Sequence, residues 1–450
     1  RREFQPAPAA PDRETTINTS RHISRLLVLA SAGWLLSACV IQDLSQDMKE
    51  LEGNYGYFKG QVNGSDEDSD IMVVLMKAVE GDDTIETLRT VSYGEPFYAL
   101  VSRGDYYALA FEDANGDFAY QAGEAAARID DPTINWFDEM DIDDQVDPQS
   151  LSVQPFNLST DTVLAGAVDL SLEAVRSKTK TAENFLRVVT WDDPNFSAEN
   201  IELGMWQPQA FIKKFGFGLY VLDEFDPGKN VIVMVHGISD SPRVFRELAS
   251  AIPDDYQLLM FHYPSSSPLE YTSYALSELL DEVVQRYDVA QIDVLAHSMG
   301  GLVSKGMIYQ ASPDVRERMR LFISIASPFG GHAAAAAGTK WAPVVAPVWW
   351  AMTPGSSYLQ KIGSLDLSNG PTHHLFYTYS HERGGEHQED DTVVSVDSQL
   401  IESSKIRATA IYPMADSHVG VMTNDCTMRM VPAILADGTS PVSMPGCQEF

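Results

Sequence analysis

The chain has 450 residues, 44% hydrophobic and 21% charged, too long for one typical domain and too apolar for disorder, so two packed domains are expected. Its 31 Lys and Arg face 64 Asp and Glu, a formal net charge of −33, which excludes sequence-independent binding to nucleic acid or to anionic lipid surfaces. Three cysteines exclude a disulfide-built scaffold but leave room for one bridge and one cysteine put to another use.

Residues 21–25 read Arg-His-Ile-Ser-Arg, 26–36 are almost wholly apolar, and Ser37-Ala38-Cys39 follow. A basic flank, an apolar run of about ten residues and small residues at its end make an export signal, too short to span a bilayer permanently. Leu36-Ser37-Ala38-Cys39 resembles the bacterial lipobox, which implies acylation of Cys39 and removal of residues 1–38. That removal deletes five arginines and three acids and takes the net charge to −35. Residues 1–20 fit no part of the signal and read as an over-extended start. Two or more acyl chains give firm anchoring, and residues 39–55 are expected to be the tether. Val40 stands where lipoproteins kept at an inner membrane often carry Asp, so the expected address is the cell envelope, at the outer of two membranes. Export also makes Cys426 and Cys447 candidates for a disulfide in an oxidising space.

Residues 56–150 are expected to form a small antiparallel β-sandwich, with strands at 71–79, 96–101 and 106–111 between turn residues. Residues 61–150 hold 22 acids and four basic residues, over half of the whole imbalance. Asp113, Asn115, Asp117 and Glu124 fall at positions 1, 3, 5 and 12 of a loop that could wrap Ca²⁺ in oxygen ligands. Phe118 stands where a glycine normally makes the sharp turn, and the preceding segment reads as strand rather than as a helix entering a calcium loop. The segment also resembles the acidic strand-turn of bacterial transthyretin-like and carboxypeptidase-regulatory-like sandwiches, which frequently hold no metal, so a structural Ca²⁺ and a hydrogen-bonded acidic turn both stay open. The acid-rich run 138–147 reads as a solvated linker. Residues 151–200, with a strand-like piece at 162–170, are a linker of undecided membership. The sequence names no protein partner for the sandwich.

Residues 201–435 alternate strand and helix, the mark of a doubly wound α/β domain, and 436–450 form a tail. Residues 231–235 are an unbroken apolar run, as a strand buried on both faces requires, and they enter His236-Gly237-Ile238. Ser241 as N-cap and Pro242 as first helical residue then open a helix. A second strand at 258–263 precedes a helix with an apolar stripe from Leu276 to Tyr287. A third, at 292–296, ends at His297-Ser298-Met299-Gly300-Gly301. A nucleophile on a sharp strand-to-helix turn needs small residues two before and two after it, here Ala296 and Gly300.

Ala-His-Ser-Met-Gly-Gly resembles the nucleophile elbow of α/β-hydrolases, bacterial lipases and esterases in particular, with alanine where glycine is usual. Val-His-Gly-Ile resembles their oxyanion strand-loop, and 323–331 resemble their next strand and loop. The resemblance covers roughly residues 205–425. A serine hydroxyl needs a base, and the base an acid that fixes its tautomer; in this fold the order is Ser, acid, His. Of six histidines after Ser298, His418 alone follows the best acid. Asp390-Asp391-Thr-Val-Val resembles the loop that carries the acid, which implies Asp391, with Thr392 replacing a glycine; Asp390 and Asp416 are the competing choices. The backbone N–H groups of Ile238 and Met299 are the expected oxyanion donors, and His236 is expected to brace their loop. His381, Glu386, His387 and Glu389 read as a solvated charged loop, with a metal site from His381, His387 and Glu386 or Glu389 as the alternative.

Ala333 to Ala337, Trp341, Val344, Val345, Trp349, Trp350 and Met352 lie where this fold can carry a cap, which would favour an acyl chain; packing into the domain core is the equal alternative. The expected function is a membrane-anchored serine hydrolase of carboxylic esters, of acyl lipids in particular, with no cofactor required for catalysis. An acyltransferase or thioesterase on the same triad, or a non-catalytic surface-binding lipoprotein, are the rival readings.

Overall fold

The computed structural model describes residues 44–47, 49, 54–64, 71–79, 83–91, 93–94, 96–114, 120–136, 151–164, 186–365, 367, 370–379, 390–405, 407–438 and 447. The export signal and Cys39, Asn115 and Asp117, the run 138–147, and His381, Glu386, His387 and Glu389 lie outside them. Among the described residues no helix is long and apolar enough to cross a membrane.

The described residues of the first body form eight strands: β1 Tyr55–Asn63, β2 Ile71–Ala78, β3 Thr84–Val91, β4 Pro96–Ser102, β5 Asp105–Glu112, β6 Ala126–Asp130, β7 Ile134–Trp136 and β8 Gln154–Asn157. One sheet runs β4-β1-β7, with β8 parallel to the end of β1, and the other runs β3-β2-β5-β6. Phe58, Phe97 and Phe156 meet Val73, Leu75 and Ala108 in a core between them. The alternate residues of β2, Met72 and Val74, pack on a second cluster with Phe111, Tyr120 and Leu164. Strand β2 is therefore covered on both faces, which is why its sequence runs apolar without alternation.

The described parts of 151–200, residues 151–164 and 186–200, belong to the two bodies and are not linker. Phe156 is fully buried, β8 pairs with β1 and Ser159 bridges Ala126, so 151–164 complete the sandwich. Residues 186–188 join the second body's sheet through Leu219, Tyr220 and Val221. The acidic run 138–147, expected between domains, is thus a connection inside the first body, between β7 and β8.

The second body is one eight-stranded sheet in the order β16-β15-β14-β13-β11-β12-β10-β9. The strands are β9 Leu186–Val188, β10 Gly218–Val221, β11 Asn230–Val235, β12 Tyr256–His262, β13 Ile292–His297, β14 Met319–Ile325, β15 Thr372–Tyr379 and β16 Ala410–Ala415. The strands from β11 onward pair in parallel, while β10 lies antiparallel to β12. Around the sheet lie α1 Ala198–Trp206, α2 Pro208–Phe215, α3 Arg246–Ala249, α4 Leu269–Tyr287, α5 Gly300–Gln310, α6 Pro313–Arg318, α7 Ala333–Trp341, α8 Pro347–Met352, α9 Ser357–Ser364, α10 Val396–Gln399, α11 Glu402–Lys405 and α12 Asp425–Asp437. The run in β11 divides by parity, Val231, Val233 and Val235 entering one core and Ile232 and Met234 the other. Ser241 precedes a 3₁₀ turn at Pro242–Phe245 and not a full helix, and its hydroxyl makes no capping bond.

Among the described residues, helix α4 ties the bodies together. Tyr274 of α4 packs into the sandwich core, and the ring of Tyr57 meets that of Tyr271 edge-on, centroids 6.3 Å apart. Residues 44–47, expected in a free tether, lie on the second body: Leu44 is buried in its core, and the Asp47 carboxylate accepts from the N–H groups of Gln209 and Ala210. The first turn of a helix has N–H groups with no intrahelical partner, and Asp47 supplies one for α2. At the tail, Cys426 on α12 and Cys447 form a disulfide.

Candidate active site

Ser298 is the first residue of the turn from β13 into α5, and its φ is +55°, a left-handed conformation that a non-glycine residue adopts only where the surroundings enforce it. Its N–H donates to Ile325 O at 2.8 Å on the neighbouring strand. The space behind it is closed by backbone. A Cβ at Gly300 would lie 2.1 Å from Val235 O and 2.6 Å from His236 O, so only glycine lets α5 start this close to β11. A Cβ at Gly237 would come within 2.9 Å of the Ser298 Cβ, so the loop after β11 runs directly past the nucleophile.

His418 follows β16 and places Nε2 at 2.8 Å from Ser298 Oγ. Its Nδ1 lies 2.7 Å from Asp391 Oδ2. Asp391 is fully buried. Its Oδ1 accepts from Val393 N at 3.0 Å and Val394 N at 2.7 Å, and its Oδ2 also accepts from Thr378 Oγ1 and, at 3.3 Å, from Gln399 Nε2. Burial alone would raise its pKa; His418, the Thr378 hydroxyl and the Val394 N–H outweigh that and hold the carboxyl below its usual range. The carboxylate can then only accept, so His418 Nδ1 carries a hydrogen and Nε2 is left free to receive the serine proton. Thr392 has φ +80°, the conformation expected where the related loop has glycine.

The competing acids do other work. Asp390 Oδ1 accepts from Thr392 N at 2.9 Å, and Asp416 accepts from Ser417 N and Asn424 Nδ2. His418 is fixed at its backbone as well: its N–H donates to Asp391 O at 3.0 Å, and its carbonyl accepts from His297 Nε2 at 2.9 Å. His297 is fully enclosed, and burial, reinforced by His418, pushes its pKa down to about 3. His236 is likewise enclosed, stacked on Tyr263 with ring centroids 4.3 Å apart, with Nδ1 2.9 Å from Gly237 O; burial takes its pKa to about 4. Thr378 and Gln399 have no signal in the sequence, because each is defined only by contact with a distant residue, and the elbow motif that includes His297 does not announce its bond to the His418 carbonyl. Asp240 also escaped: burial pushes its carboxyl up to about 6, against the opposing pulls of the Ser241 N–H and of His418.

Ile238 and Met299 stand on the two segments beside Ser298, and among the described residues neither N–H donates a backbone hydrogen bond. Met299 N is at the start of α5, where the helix dipole favours negative charge. The arrangement has a nucleophile, a base, an acid and two spare donors, the set that acyl transfer needs.

The residues expected to cap the site are divided. Met352 is buried in the domain core, with Val344 and Trp349 packed partly buried against it, while Trp341 is 76% exposed. Of the expected calcium ligands, Asp113 and Glu124 are described, and both Glu124 oxygens accept backbone N–H groups, from Ala114 at 3.2 Å and Gln121 at 2.7 Å. Among the described residues no three His, Cys, Asp or Glu are grouped to hold a metal ion.

Residues 230–348 match the family model described as alpha/beta hydrolase fold, a stretch that includes both loops beside Ser298. Over 115 residues the chain is 27% identical to the uncharacterized hydrolase YugF of Bacillus subtilis, covering 24% of this chain and 42% of that protein, so it spans less than half the length of that relative. Among solved structures, the mature lipase BlEst2 of Bacillus licheniformis shares 16% identity at a TM-score of 0.38, covering 48% of this chain and 96% of that one. Aspergillus fumigatus lipase B shares 17% at 0.35, covering 50% and 57%. Phospholipase PlaB of Legionella pneumophila shares 14% at 0.35, covering 47% and 57%.

Proposed function

We propose that the second body is a serine hydrolase of carboxylic esters, with acyl-lipid esters as its substrate class, carried on an exported protein acylated at Cys39. The observation that supports it most is the unbroken chain from Ser298 Oγ through His418 to Asp391, with spacings of 2.8 and 2.7 Å. In the first step Ser298 Oγ attacks the ester carbonyl while His418 Nε2 takes its proton. Charge on the carbonyl oxygen meets the N–H groups of Ile238 and Met299, and Asp391 stabilises the imidazolium. His418 then returns the proton to the leaving alcohol, and water releases the acyl group by the same steps in reverse roles. The acid needs no proton of its own, which accords with its lowered pKa.

Turnover of p-nitrophenyl esters of graded chain length tests this. The wild type is expected to cleave them and to be labelled at Ser298 by an organophosphonate, with longer acyl chains favoured; Ser298→Ala is expected to do neither. Equal activity in the two proteins, or inertness in both with no labelling, would remove the reading.

A further inference from the structure

The position of residues 44–47 has a bearing on the membrane. Leu44 is 1% exposed, and Asp47 Oδ2 and Oδ1 accept from Gln209 N at 2.5 Å and Ala210 N at 3.0 Å. This docking point is at the same end of the sheet as Ser298. Helix α2 leads into β10, whose first residue, Gly218, pairs with His262, the last of β12. Helix α1, just before it, ends against the loop after β12: Gly204 O accepts from the Ser266 N–H at 3.2 Å. Ser265 in that loop accepts from Ser239 N at 3.0 Å, one residue beyond Ile238, and Ser266 O accepts from Val348 N at 3.1 Å.

Only five residue steps separate Cys39 from Leu44, a reach of about 18 Å even when fully extended. A folded body of about 250 residues has a radius of gyration of about 18 Å, so its diameter is well over twice that tether. The opposite end of the sheet therefore cannot reach a membrane that holds Cys39. The end that can reach it carries exposed apolar side chains: Trp341 at 76%, Val419 at 58% and Val393 at 50%. Val419 follows His418, Val393 lies two residues after Asp391, and the Val393 carbonyl accepts from His332 at 2.7 Å, one residue before α7 begins.

We propose that residues 44–47 dock the second body onto the bilayer that holds Cys39, with the catalytic end of the sheet facing the lipid and Trp341, Val393 and Val419 seated in its surface. This rests on the acylation of Cys39 proposed above. Electrostatics does not help, because an acidic protein is repelled by anionic headgroups. The acyl chains and the apolar rim supply the attachment, and Asp47 fixes its direction. An acyl lipid would then enter from the membrane to which the enzyme is attached.

The full acylated chain in phosphatidylcholine vesicles tests this, with brominated lipid as quencher and the emission of Trp341 assigned as the difference between wild type and Trp341→Phe. Brominated vesicles are expected to quench the Trp341 component. The quenching should fall at least twofold after a flexible Gly-Ser insertion of about twenty residues between Val40 and Ile41, whose ends average about 25 Å apart, and to a lesser degree in Asp47→Ala. Trp341 emission that is equal in brominated and plain vesicles while the protein floats with them overturns the proposal, as does quenching undiminished by the insertion. A mass showing no acyl group on Cys39 overturns anchor and orientation together and leaves ester hydrolysis standing. Quenching by an enzyme inert toward soluble esters upholds the orientation and removes the hydrolase reading instead.

Discussion

Replacing Asp391 with Asn changes one atom and isolates what the acid does. Its five hydrogen-bond partners all donate: Val393 N and Val394 N on Oδ1, and His418 Nδ1, Thr378 Oγ1 and Gln399 Nε2 on Oδ2. The two backbone groups cannot turn, so the amide oxygen must take the Oδ1 place and the NH₂ must face His418. His418 can keep a bond there only by accepting at Nδ1, which moves its hydrogen to Nε2, where it opposes the Ser298 hydroxyl. The base is then in the wrong tautomer for the attack. Loss of the correct tautomer costs about 10⁴ in kcat, equivalent to about 5.5 kcal/mol of barrier. The assay is single-turnover acylation by a short p-nitrophenyl ester, with circular dichroism and melting temperature as controls on folding. Asp391→Asn retaining more than a tenth of wild-type kcat, or Asp390→Asn losing more than Asp391→Asn, would refute this assignment of the acid.

Removing the Thr378 hydroxyl with Thr378→Val should lower kcat about tenfold with little change in KM, since the contact acts through Asp391; an effect on KM alone would contradict it. Gly300→Ala should abolish activity and lower the melting temperature, because the new methyl meets Val235 O, and overpacking costs about 1–3 kcal/mol or more; a fully active variant would show that the elbow is not so confined. Asp293, fully buried beneath Arg320 with an N–O distance of 2.6 Å, should cost about 3 kcal/mol when changed to Ala, read by denaturant unfolding. His236 and His297 have folded pKa values of about 4 and about 3, below the unfolded value, so the unfolded chain binds their protons first as pH falls. Their contribution is complete above about pH 6.5 and is lost progressively down to about pH 4 for His236 and about pH 3 for His297; a melting temperature flat across that interval would contradict it. Because Glu124 already binds two backbone N–H groups, a chelator should leave the melting temperature unmoved.

The second body was largely legible because its signals are local. An unbroken apolar run, a serine between small residues, and an acid-Thr-Val-Val sequence each report a constraint met within a few residues, and Ser298, Asp391 and His418 are found within hydrogen-bond reach. The residues that hold Asp391 were not legible. Gln399 reaches back 21 residues to Thr378, and nothing in a short polar segment announces such a partner. The edge strands β8 and β9 were missed because three or four residues that pair across long separations leave no periodic pattern. Tether 39–55 misled for the opposite reason: Leu44 and Asp47 look like ordinary linker residues, and only the unsatisfied start of α2 gives them a place.

Tyr274 projects from a helix of the second body into the core of the first. The boundary between the halves, drawn along the chain, is therefore not a boundary in the packing. Cutting the gene near residue 186 would leave this ring facing water and open the floor of the other half. The acidic first body is better regarded as an organ of the whole chain than as cargo it carries, and grafting it onto another protein would require taking helix α4 with it.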